Sequence, residues 1–304
     1  MQKMKIAVKL EKGGKVSVPC TKVHTLIIGS GAAGLNAAVQ LHANGVTDIM
    51  IVSEGLQKGT SINTGSDKQT YYKISMYGEN NDSPYLLAQS FFNGGSMHGD
   101  LALVEASLSG RAFFNLVNIG VAFPRDRYGQ FVGYKTDHDP FRRATSVGPY
   151  TSREMCRSLI KEVKRRNIQV VEDRVVASLL TSEDKDGKRA CGAVSINCKS
   201  KSQTGAFEIY LADNVVFATG GPGGLYKTSV YPEVHTGAIG LALMEGAKAQ
   251  SLSESQYGLA SIKFRWNVSG TYMQVIPKFI STAADGKSDA REFMHEYFNS
   301  AGEM

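Results

Sequence analysis

The chain has 304 residues, enough to bury a large core and to form two domains. Its composition, 42% hydrophobic and 20% charged, is that of a soluble globular protein and excludes a disordered or fibrous chain. The formal net charge of +6 is spread along the chain, and the basic run 161–166 is expected to be the solvated face of a helix, so nucleic acid is not an expected partner.

The sequence carries no signal for membrane insertion or export. No apolar run approaches the ~18 residues that span a bilayer, and the N-terminus has the pattern of a polar strand, unlike a signal peptide. The four cysteines lie far apart, without the spacing of a metal site. We therefore expect a cytoplasmic protein with free thiols, no metal and no membrane span, in which any one-electron partner would be another protein.

The first strand-to-helix turn of the chain carries three spaced glycines. After a predicted hairpin over residues 5–19, an apolar strand beginning at His24 runs into Gly29-x-Gly31-x-x-Gly34, and an alanine-rich helical pattern follows. In such a turn the first glycine makes the tight bend, the second lets backbone approach a pyrophosphate, and the third allows close helix–strand packing. The helix N-terminus then offers N–H groups to phosphates.

An acidic residue follows the next strand at the distance expected of a dinucleotide fold. A second apolar run covers residues 48–53, and Glu54 follows Gly34 by the roughly 20 residues at which a carboxylate meets the ribose hydroxyls. Residues 23–54 therefore predict a dinucleotide-binding βαβ unit, and the alternative is a plain glycine turn in an α/β core. The polar, glycine-bearing loop 55–66 is expected to run along the cofactor, or else to be an ordinary surface connection.

Helical patterns and one irregular stretch come next. Residues 84–118 predict two helical pieces, the second capped by Asp100 and carrying four apolar residues inward, namely Leu103, Leu108, Phe113 and Val117. Residues 124–150 are rich in glycine, proline and charge and predict an irregular excursion. A capping box at Thr151-Ser-Arg-Glu154 then predicts a helix that ends near Asn167.

The later segments predict a mixed sheet. A strand at 168–172 is followed by three alternating segments that indicate an antiparallel meander inserted in a parallel fold, at 175–180, 191–196 and 207–211. The next strand, 214–221, ends in Gly220-Gly221 at the edge where open α/β sheets bind ligands, with a plain strand-ending turn as the alternative. Helices are predicted at 237–247 and 290–298.

Taken together, these motifs resemble one family. The likeness runs from about residue 23 to 298 and rests on Ile27-Ile-Gly-Ser-Gly-Ala-Ala-Gly34, Glu54, Gly59-Thr-Ser, Ala218-Thr-Gly-Gly221 and Asp285-Gly-Lys-Ser-Asp-Ala-Arg-Glu-Phe-Met294. It is similar to the flavoprotein subunits of fumarate reductase and succinate dehydrogenase, together with L-aspartate oxidase. The resemblance implies FAD, in preference to NAD, as the cofactor.

The resemblance also implies a fold and a domain organisation. The expected fold is α/β, a Rossmann-like FAD-binding domain with an inserted antiparallel β-meander, followed by part of an α+β capping domain. The domain boundaries would make residues 1–22 a β lead-in, 23–248 the first part of the FAD-binding domain, and 249–304 the start of the capping domain.

By resemblance, the cofactor contacts follow the motifs. The glycine triplet would hold the pyrophosphate, Glu54 the adenosine ribose and Val175 the adenine, while Thr60, Ser61 and Gly65 would pass near the flavin and Ala218 to Gly221 near the ribityl chain. The full set implied is Gly29, Gly31, Ala33, Gly34, Glu54, Gly59, Thr60, Ser61, Gly65, Val175, Ala218, Thr219, Gly220 and Gly221.

Departures from the family pattern bear on chemistry. Residues 55–70 contain no histidine, so the covalent flavin link of membrane-bound members is not expected. The substrate element aligns with Gln256-Tyr-Gly-Leu-Ala-Ser261, where Gly258 and Ala260 replace hydrogen-bonding residues, which argues against fumarate or succinate as the substrate. The Thr-Gly-Asp-Gly element appears only as His235-Thr-Gly-Ala238, without its aspartate.

By resemblance, the chain also stops before the proton-donating arginine and the segment that completes the flavin site. We expect a fragment of a longer polypeptide, a subunit completed by another chain, or a degenerate half-protein.

The expected function is that of an FAD-dependent oxidoreductase exchanging hydride with a small organic substrate. A cation near the substrate would stabilise developing negative charge, and the candidates are Lys263, Arg265, Arg142 and Arg143, each with a structural role as the alternative. His138 and His235 are expected to be structural. Expected partners are the small-molecule substrate, an external electron-transfer protein and a second chain or missing C-terminal half. The alternatives are an FAD-binding half-protein or subunit without catalysis, and an NAD-linked dehydrogenase.

Overall fold

The computed structural model describes residues 1–11, 13–65, 69–76, 81–136, 139–185, 187–202, 205–221, 223–227, 229, 235, 238–252, 260–261, 266–267, 275–300 and 303. The chain divides into two compact units, Met1–Gln256 and Tyr257–Met304. Among the described residues, no helix has the length and apolar character needed to cross a membrane.

The first unit contains helices and strands in alternation. Its helices are α1 Ala32–Ala43, α2 Thr60–Asn63, α3 Pro84–Asn93, α4 Gly99–Asn118, α5 Thr151–Arg165 and α6 Ile239–Met244, with a short 3-10 helix at Gly223–Leu225. Its strands are β1 Gln2–Lys9, β2 Lys15–Ile28, β3 Ile49–Val52, β4 Tyr71–Tyr72, β5 Ala144–Thr145, β6 Gln169–Val171, β7 Arg174–Asp184, β8 Gly187–Asn197 and β9 Phe207–Phe217.

The second unit holds short pairs of strands. They are β10 Ala260–Ser261 with β11 Trp266–Asn267, and β12 Ile280–Ser281 with β13 Arg291–Glu292, followed by a 3-10 turn at Met294–Glu296. The predicted helix at 290–298 is therefore wrong. Pairing of Arg291 with Ser281 and of Glu292 with Ile280 draws the start of that segment into a strand, and only one 3-10 turn remains.

One mixed sheet organises the first unit. Its order is β6-β3-β2-β9-β8-β7, with β1 paired to the first half of β2. Strands β6, β3, β2 and β9 are parallel, and β9, β8 and β7 are antiparallel to one another. The fold is thus a mixed α/β architecture in which parallel and antiparallel pairing meet at β9.

Strand β2 is central because both of its faces are covered. Ile27 packs with α1 and α5, while Leu26 and Ile28 pack on the opposite face with β3 and α6. All three side chains are almost fully buried, which explains why the strand reads as a continuous apolar run. Burial on both faces fixes the position of the turn that follows β2.

Two predicted strand breaks do not exist. The segment predicted as 207–211 and the first four residues of the one predicted as 214–221 belong to the single strand β9, which ends at Phe217. This strand pairs with β8 through its first half and with β2 along most of its length. Likewise, the second arm of the predicted hairpin and the predicted first core strand are both parts of β2. The ladder continues because β2 and β9 pair from Cys20 with Ile209 to Ile28 with Phe217.

Helix α4 turns a different face inward from the one predicted. Leu103 and Leu108 are 47% and 50% exposed, whereas Phe113 is fully buried as expected. Small residues, Ala102 and Ala106, form the buried face because they let α3 approach closely. The helix begins before Asp100, and the imidazole of His98 caps it by accepting a hydrogen bond from the Asp100 N–H at 3.3 Å.

Helix α5 also starts without the predicted capping box. Thr151 is its first residue, and no side chain caps the helix at Tyr150. The Thr151 hydroxyl instead accepts from the Val147 N–H at 3.0 Å and donates to the Gly148 carbonyl at 2.9 Å. The Thr151 hydroxyl, which the capping box predicts to cap α5, therefore stabilises the turn before the helix.

Candidate functional site

A cavity of about 370 Å³ opens where β2, β3 and β9 end. Its walls are the β2–α1 turn, the loop after β3, the start of β7, the segment after β9, and α6. Because β3 and β9 lie on opposite sides of β2, the chain leaves β2 at a switch point of the sheet, where open α/β folds form ligand crevices.

Most of the residues predicted to contact a cofactor lie together in this cavity. Those lining it are Gly29, Gly31, Ala33, Glu54, Gly59, Thr60, Ser61, Val175, Ala218, Thr219 and Gly220. Gly34, Gly65 and Gly221 are not in the lining. Lining residues that the motifs did not single out are Ile28, Ser30, Ala32, Val52, Ser53, Gly55, Lys58, Arg174, Val176, Phe217, His235, Ala238 and Leu241.

The bend at Gly29 joins three strand ends. Its φ is +106°, and a Cβ there would lie 2.3 Å from the carbonyl oxygen of Ala218. The Gly29 N–H donates to Val52 at 2.9 Å, and the Ala218 N–H donates to Ile28 at 2.8 Å. Only glycine fits this bend, because any side chain would overlap the backbone after β9.

The N-terminus of α1 faces the cavity without a side-chain cap. Gly31 is the N-cap residue, and the first turn carries no acidic side chain. The Ala32 N–H donates to the Ser61 hydroxyl at 3.3 Å. The first turn of a helix carries partial positive charge and unpaired N–H groups, so this wall favours an anion.

Glu54 stands on the opposite side of the bend. Its side chain is half-buried, and among the described residues its carboxylate makes no hydrogen bond or ion pair. Its carbonyl accepts from the Asp173 N–H at 3.3 Å, and the Ser53 carbonyl accepts from Arg174 at 3.1 Å, which ties the loop after β3 to the start of β7. The carboxylate is therefore available as an acceptor on a rigid backbone.

Arg174 is neutralised by a carboxylate although it lines the cavity. Its Nε and a terminal nitrogen each donate to Glu208 at 2.8 Å, and the Tyr210 hydroxyl donates to the same carboxylate at 2.6 Å. Burial, together with this hydrogen bond, raises the pKa of Tyr210 to about 12. The guanidinium thus ties β7 to β9.

Helix α2, on the far wall, is held by α5. The Ser152 hydroxyl donates to the Ser61 carbonyl at 2.6 Å, and Arg153 Nε donates to the Ile62 carbonyl at 3.1 Å. Gly65 lies just beyond, where a Cβ would be 2.7 Å from the Tyr150 ring. Gly65 therefore packs against the residues that immediately precede α5.

His235 contributes an imidazole to the cavity from a distant part of the chain. Its Nδ1 is hydrogen-bonded to the Thr60 hydroxyl. A Cβ at Gly220 would lie 3.5 Å from its Cε1, and one at Gly221 would lie 3.6 Å from its Nε2. The ring therefore stands between α2 and the segment after β9.

Of the candidate catalytic cations, the structure describes Arg142 and Arg143. Lys263 and Arg265 lie outside the described residues, as does His138. Arg142 is exposed, and neither it nor Arg143 is among the described residues that line the cavity.

Arg143 is fully buried beside three polar partners. Its guanidinium donates to Asp82 at 2.7 and 2.9 Å, to the Ser90 hydroxyl at 2.8 Å and to Asp139 at 3.4 Å. Burial alone would raise the pKa of Asp82, but the hydrogen bonds from Arg143 and from the Ser75 N–H outweigh it, so the pKa lies below its usual value. This geometry is that of a structural ion pair.

Comparison with known proteins gives the family. The model of the FAD binding domain family matches residues 24–294. L-aspartate oxidase of Nostoc sp. is 30% identical over 76% of this chain and 38% of its own length. One component of the fumarate reductase (CoM/CoB) of Methanothermobacter marburgensis is 30% identical over 67% of this chain and 36% of its own.

Solved structures have the same fold. A flavocytochrome c3 fumarate reductase in its open conformation superposes with a TM-score of 0.65 at 20% identity, covering 86% of this chain and 47% of that one. The Mycobacterium smegmatis Sdh1 complex gives 0.64 at 22% identity, covering 75% and 39%. The chain spans about two fifths of the length of the curated relatives it matches. It belongs to the FAD binding domain family, with FAD as its cofactor.

Proposed function

We propose that the cavity at the end of β2 holds FAD without a covalent link, and that this chain is the cofactor-binding part of an oxidoreductase acting on a small organic substrate. The observation that carries the proposal is the pairing of two walls. The uncapped N-terminus of α1 attracts an anion, and the Glu54 carboxylate accepts hydrogen bonds, on either side of the Gly29 bend.

The residues of the cavity fit a dinucleotide. The N–H groups at Gly31, Ala32 and Ala33 suit the pyrophosphate, since the Ser61 hydroxyl is the one side-chain group that the described part of the chain hydrogen-bonds to them. Glu54 suits the adenosine ribose. Val175 and its neighbour Val176 also line the cavity, and an apolar lining suits the adenine ring.

The ribityl and flavin end would lie on the other side of the α1 N-terminus. There the cavity is lined by Thr60 and Ser61 on one side and by Ala218 to Gly220 on the other. The absence of histidine from residues 55–70 supports a non-covalent cofactor. When bound, FAD supplies the hydride chemistry, and the chain supplies binding and orientation.

The substrate is proposed to be neither fumarate nor succinate. The support is the replacement of two hydrogen-bonding positions by Gly258 and Ala260. Of this element the structure describes Ala260 and Ser261, which form β10. Lys263 and Arg265, which follow it in sequence, are proposed as candidates for stabilising charge on the substrate. An electron-transfer protein and a second chain or C-terminal half are proposed as partners.

A titration with FAD and ADP tests the cofactor site. The purified chain should be yellow or become yellow with added FAD, and Glu54→Gln should weaken binding of both ligands by about tenfold, since a charge-assisted hydrogen bond to the ribose is lost. Glu183→Gln, an exposed carboxylate on β7, is the control and should bind both as the parent does. A protein that takes up no flavin, or that retains nicotinamide dinucleotide in its place, would overturn the proposal.

Activity is tested separately. Dithionite-reduced flavoprotein is mixed anaerobically with a panel of unsaturated acids and imines, and reoxidation is followed by absorbance. Reoxidation by one member supports the oxidoreductase. A chain that binds FAD but is reoxidised by none of them favours a non-catalytic FAD-binding module.

A further inference from the structure

We propose that two serines, Ser30 and Ser53, are positioning residues that hold the carboxylate of Glu54 at the adenosine ribose. Their hydroxyl groups form a ring of hydrogen bonds with the peptide groups of Gly55, the residue that follows Glu54. The inference rests on the proposed FAD site and adds two residues that the sequence motifs did not single out.

The direction of each hydrogen bond in the ring follows from the protons available. The Gly55 carbonyl can only accept, so the Ser30 hydroxyl donates its one proton there, at 3.0 Å. The Ser53 hydroxyl must then donate to the Ser30 oxygen, at 2.6 Å, and it accepts from the Gly55 N–H at 3.2 Å. The three bonds begin and end on Gly55, and each hydroxyl both donates and accepts, which strengthens the ring as a whole.

The ring joins two walls of the cavity. Ser30 lies in the turn between Gly29 and Gly31 and is only 5% exposed, and Ser53 directly follows β3. Both serines line the cavity. A shift of the loop after β3 away from the glycine turn would break the ring. The ring therefore fixes the distance between the N-terminus of α1, where a phosphate would bind, and the carboxylate that suits the ribose.

Glu54 depends on its backbone for its position. Among the described residues its carboxylate makes no hydrogen bond or ion pair. The backbone at the start of β7 holds the carbonyls of Ser53 and Glu54, and the ring holds Gly55 on the other side. A carboxylate that is in place before the ligand arrives loses less freedom on binding, so the ring should strengthen the ribose contact.

Two nucleotides separate the ribose contact from the phosphate contact. Dideoxy-ADP lacks both ribose hydroxyl groups and keeps the pyrophosphate, so the parent should bind ADP about tenfold more tightly than dideoxy-ADP in calorimetric titrations. Ser30→Ala should lower this preference to about threefold or less and leave the affinity for dideoxy-ADP within about twofold of the parent's. Unchanged binding of dideoxy-ADP also shows that the variant is folded.

Further variants test the ring itself. Ser53→Ala opens the same ring, so it should lower the preference as much as Ser30→Ala does, and the double variant should lose little more. In a Glu54→Gln background, Ser30→Ala should have no further effect on the preference, because the serine acts through that carboxylate.

A buried serine elsewhere in the chain provides the control. The Ser109 hydroxyl on α4 donates to the Ala106 carbonyl at 2.8 Å, and Ser109 is not in the cavity lining. Ser109→Ala should therefore keep the full preference for ADP. A preference that survives in both Ser30→Ala and Ser53→Ala, or equal losses of ADP and dideoxy-ADP affinity, would overturn the inference. If the parent binds neither nucleotide nor FAD, the proposed function itself fails.

Discussion

A Cβ on Gly34 would lie 2.1 Å from the carbonyl oxygen of Gly29. The first turn of α1 thus rests directly on the bend that ends β2, with no room for a side chain between them. Gly34 therefore packs the helix against the strand, as the motif predicts for its third glycine, and it is not in the cavity lining.

Replacing Gly34 by alanine should therefore damage the fold. Gly34→Ala forces the helix away from the bend and should lower the free energy of unfolding by about 2–3 kcal/mol, measured by urea denaturation. Gly240→Ala in α6 is the matched control, because nothing lies within 4 Å of its Cβ position. It should leave stability unchanged or raise it by up to ~1 kcal/mol. Similar losses in both variants would contradict the packing role.

A substitution at Gly31 should weaken cofactor binding without affecting the stability of the fold. Its φ of −75° suits any residue, and the nearest atom to an added Cβ is the Ser61 hydroxyl oxygen at 3.5 Å. Gly31→Ala should therefore keep the stability within about 0.5 kcal/mol. Its methyl group would stand before the α1 N–H groups, and FAD affinity measured by fluorescence titration should fall by about tenfold or more. Unchanged affinity would mean that phosphate binds elsewhere.

Arg143 should prove structural when its stability effect is measured. Arg143→Met leaves Asp82 buried without its partner and should cost about 3–5 kcal/mol in urea unfolding. Arg111, which is exposed on α4, provides the control, since Arg111→Met should stay within about 0.5 kcal/mol. A stable Arg143→Met protein that binds FAD and has lost only turnover would instead make this arginine catalytic.

The same pair predicts a pH effect. Because the pKa of Asp82 is lower in the folded chain than in the unfolded one, the pair stabilises the fold at neutral pH. That contribution is lost as the pH falls from about 4 towards the folded pKa. Acid unfolding of the Arg111→Met control should begin at the same pH as that of the parent, because this variant keeps the Asp82–Arg143 pair.

Lys73 should also make the stability rise with pH, but in the alkaline range. The side chain is 3% exposed, its ammonium lies 4.7 Å from the Phe113 ring centre, and burial lowers its pKa to about 8. Between pH 8 and 10 the unfolded chain binds more protons at this site, so its contribution to stability rises with pH, by about 2 kcal/mol. Lys73→Met removes the titrating group, and its unfolding free energy should rise less over this range than the parent's. Parallel curves for the two proteins would contradict the prediction.

Ser152 should govern how long the cofactor stays bound. Its hydroxyl holds the Ser61 carbonyl at 2.6 Å and so fixes α2 against α5. Ser152→Ala should cost about 1 kcal/mol of stability and raise the FAD dissociation rate severalfold in stopped-flow measurements. Ser107→Ala, on the exposed side of α4, should change neither.

The sequence predicted those parts of the site whose geometry is local. Gly29, Gly31 and Glu54 follow from spacing alone, because a strand, a tight turn and a helix are built by neighbouring residues. The inward face of α4 could not be predicted from the sequence. Ala102 and Ala106 are buried because α3 packs against them, whereas the more hydrophobic Leu103 and Leu108, which were predicted to be buried, are exposed.

Long-range contacts account for the rest. His235 is hydrogen-bonded to Thr60 across 175 positions of chain, and the spacing of residues within a sequence does not indicate such a distant partner. Ser152 reaches Ser61 in the same way, from the start of a helix whose capping pattern suggested a purely local role. The roles of His235 and Ser152 can be recognised only once the three-dimensional fold is known.

Strand β2 has one further consequence, for where the chain tolerates changes in length. It runs for 14 residues from the hairpin to the Gly29 bend, about 45 Å without interruption. Inserting one residue within it would exchange the two buried faces at Leu26 and Ile27 and would move Gly29 off Ala218. Insertions and deletions should therefore be accepted at the hairpin tip, where the Cβ positions of Gly13 and Gly14 meet nothing within 4 Å, and rejected along the strand.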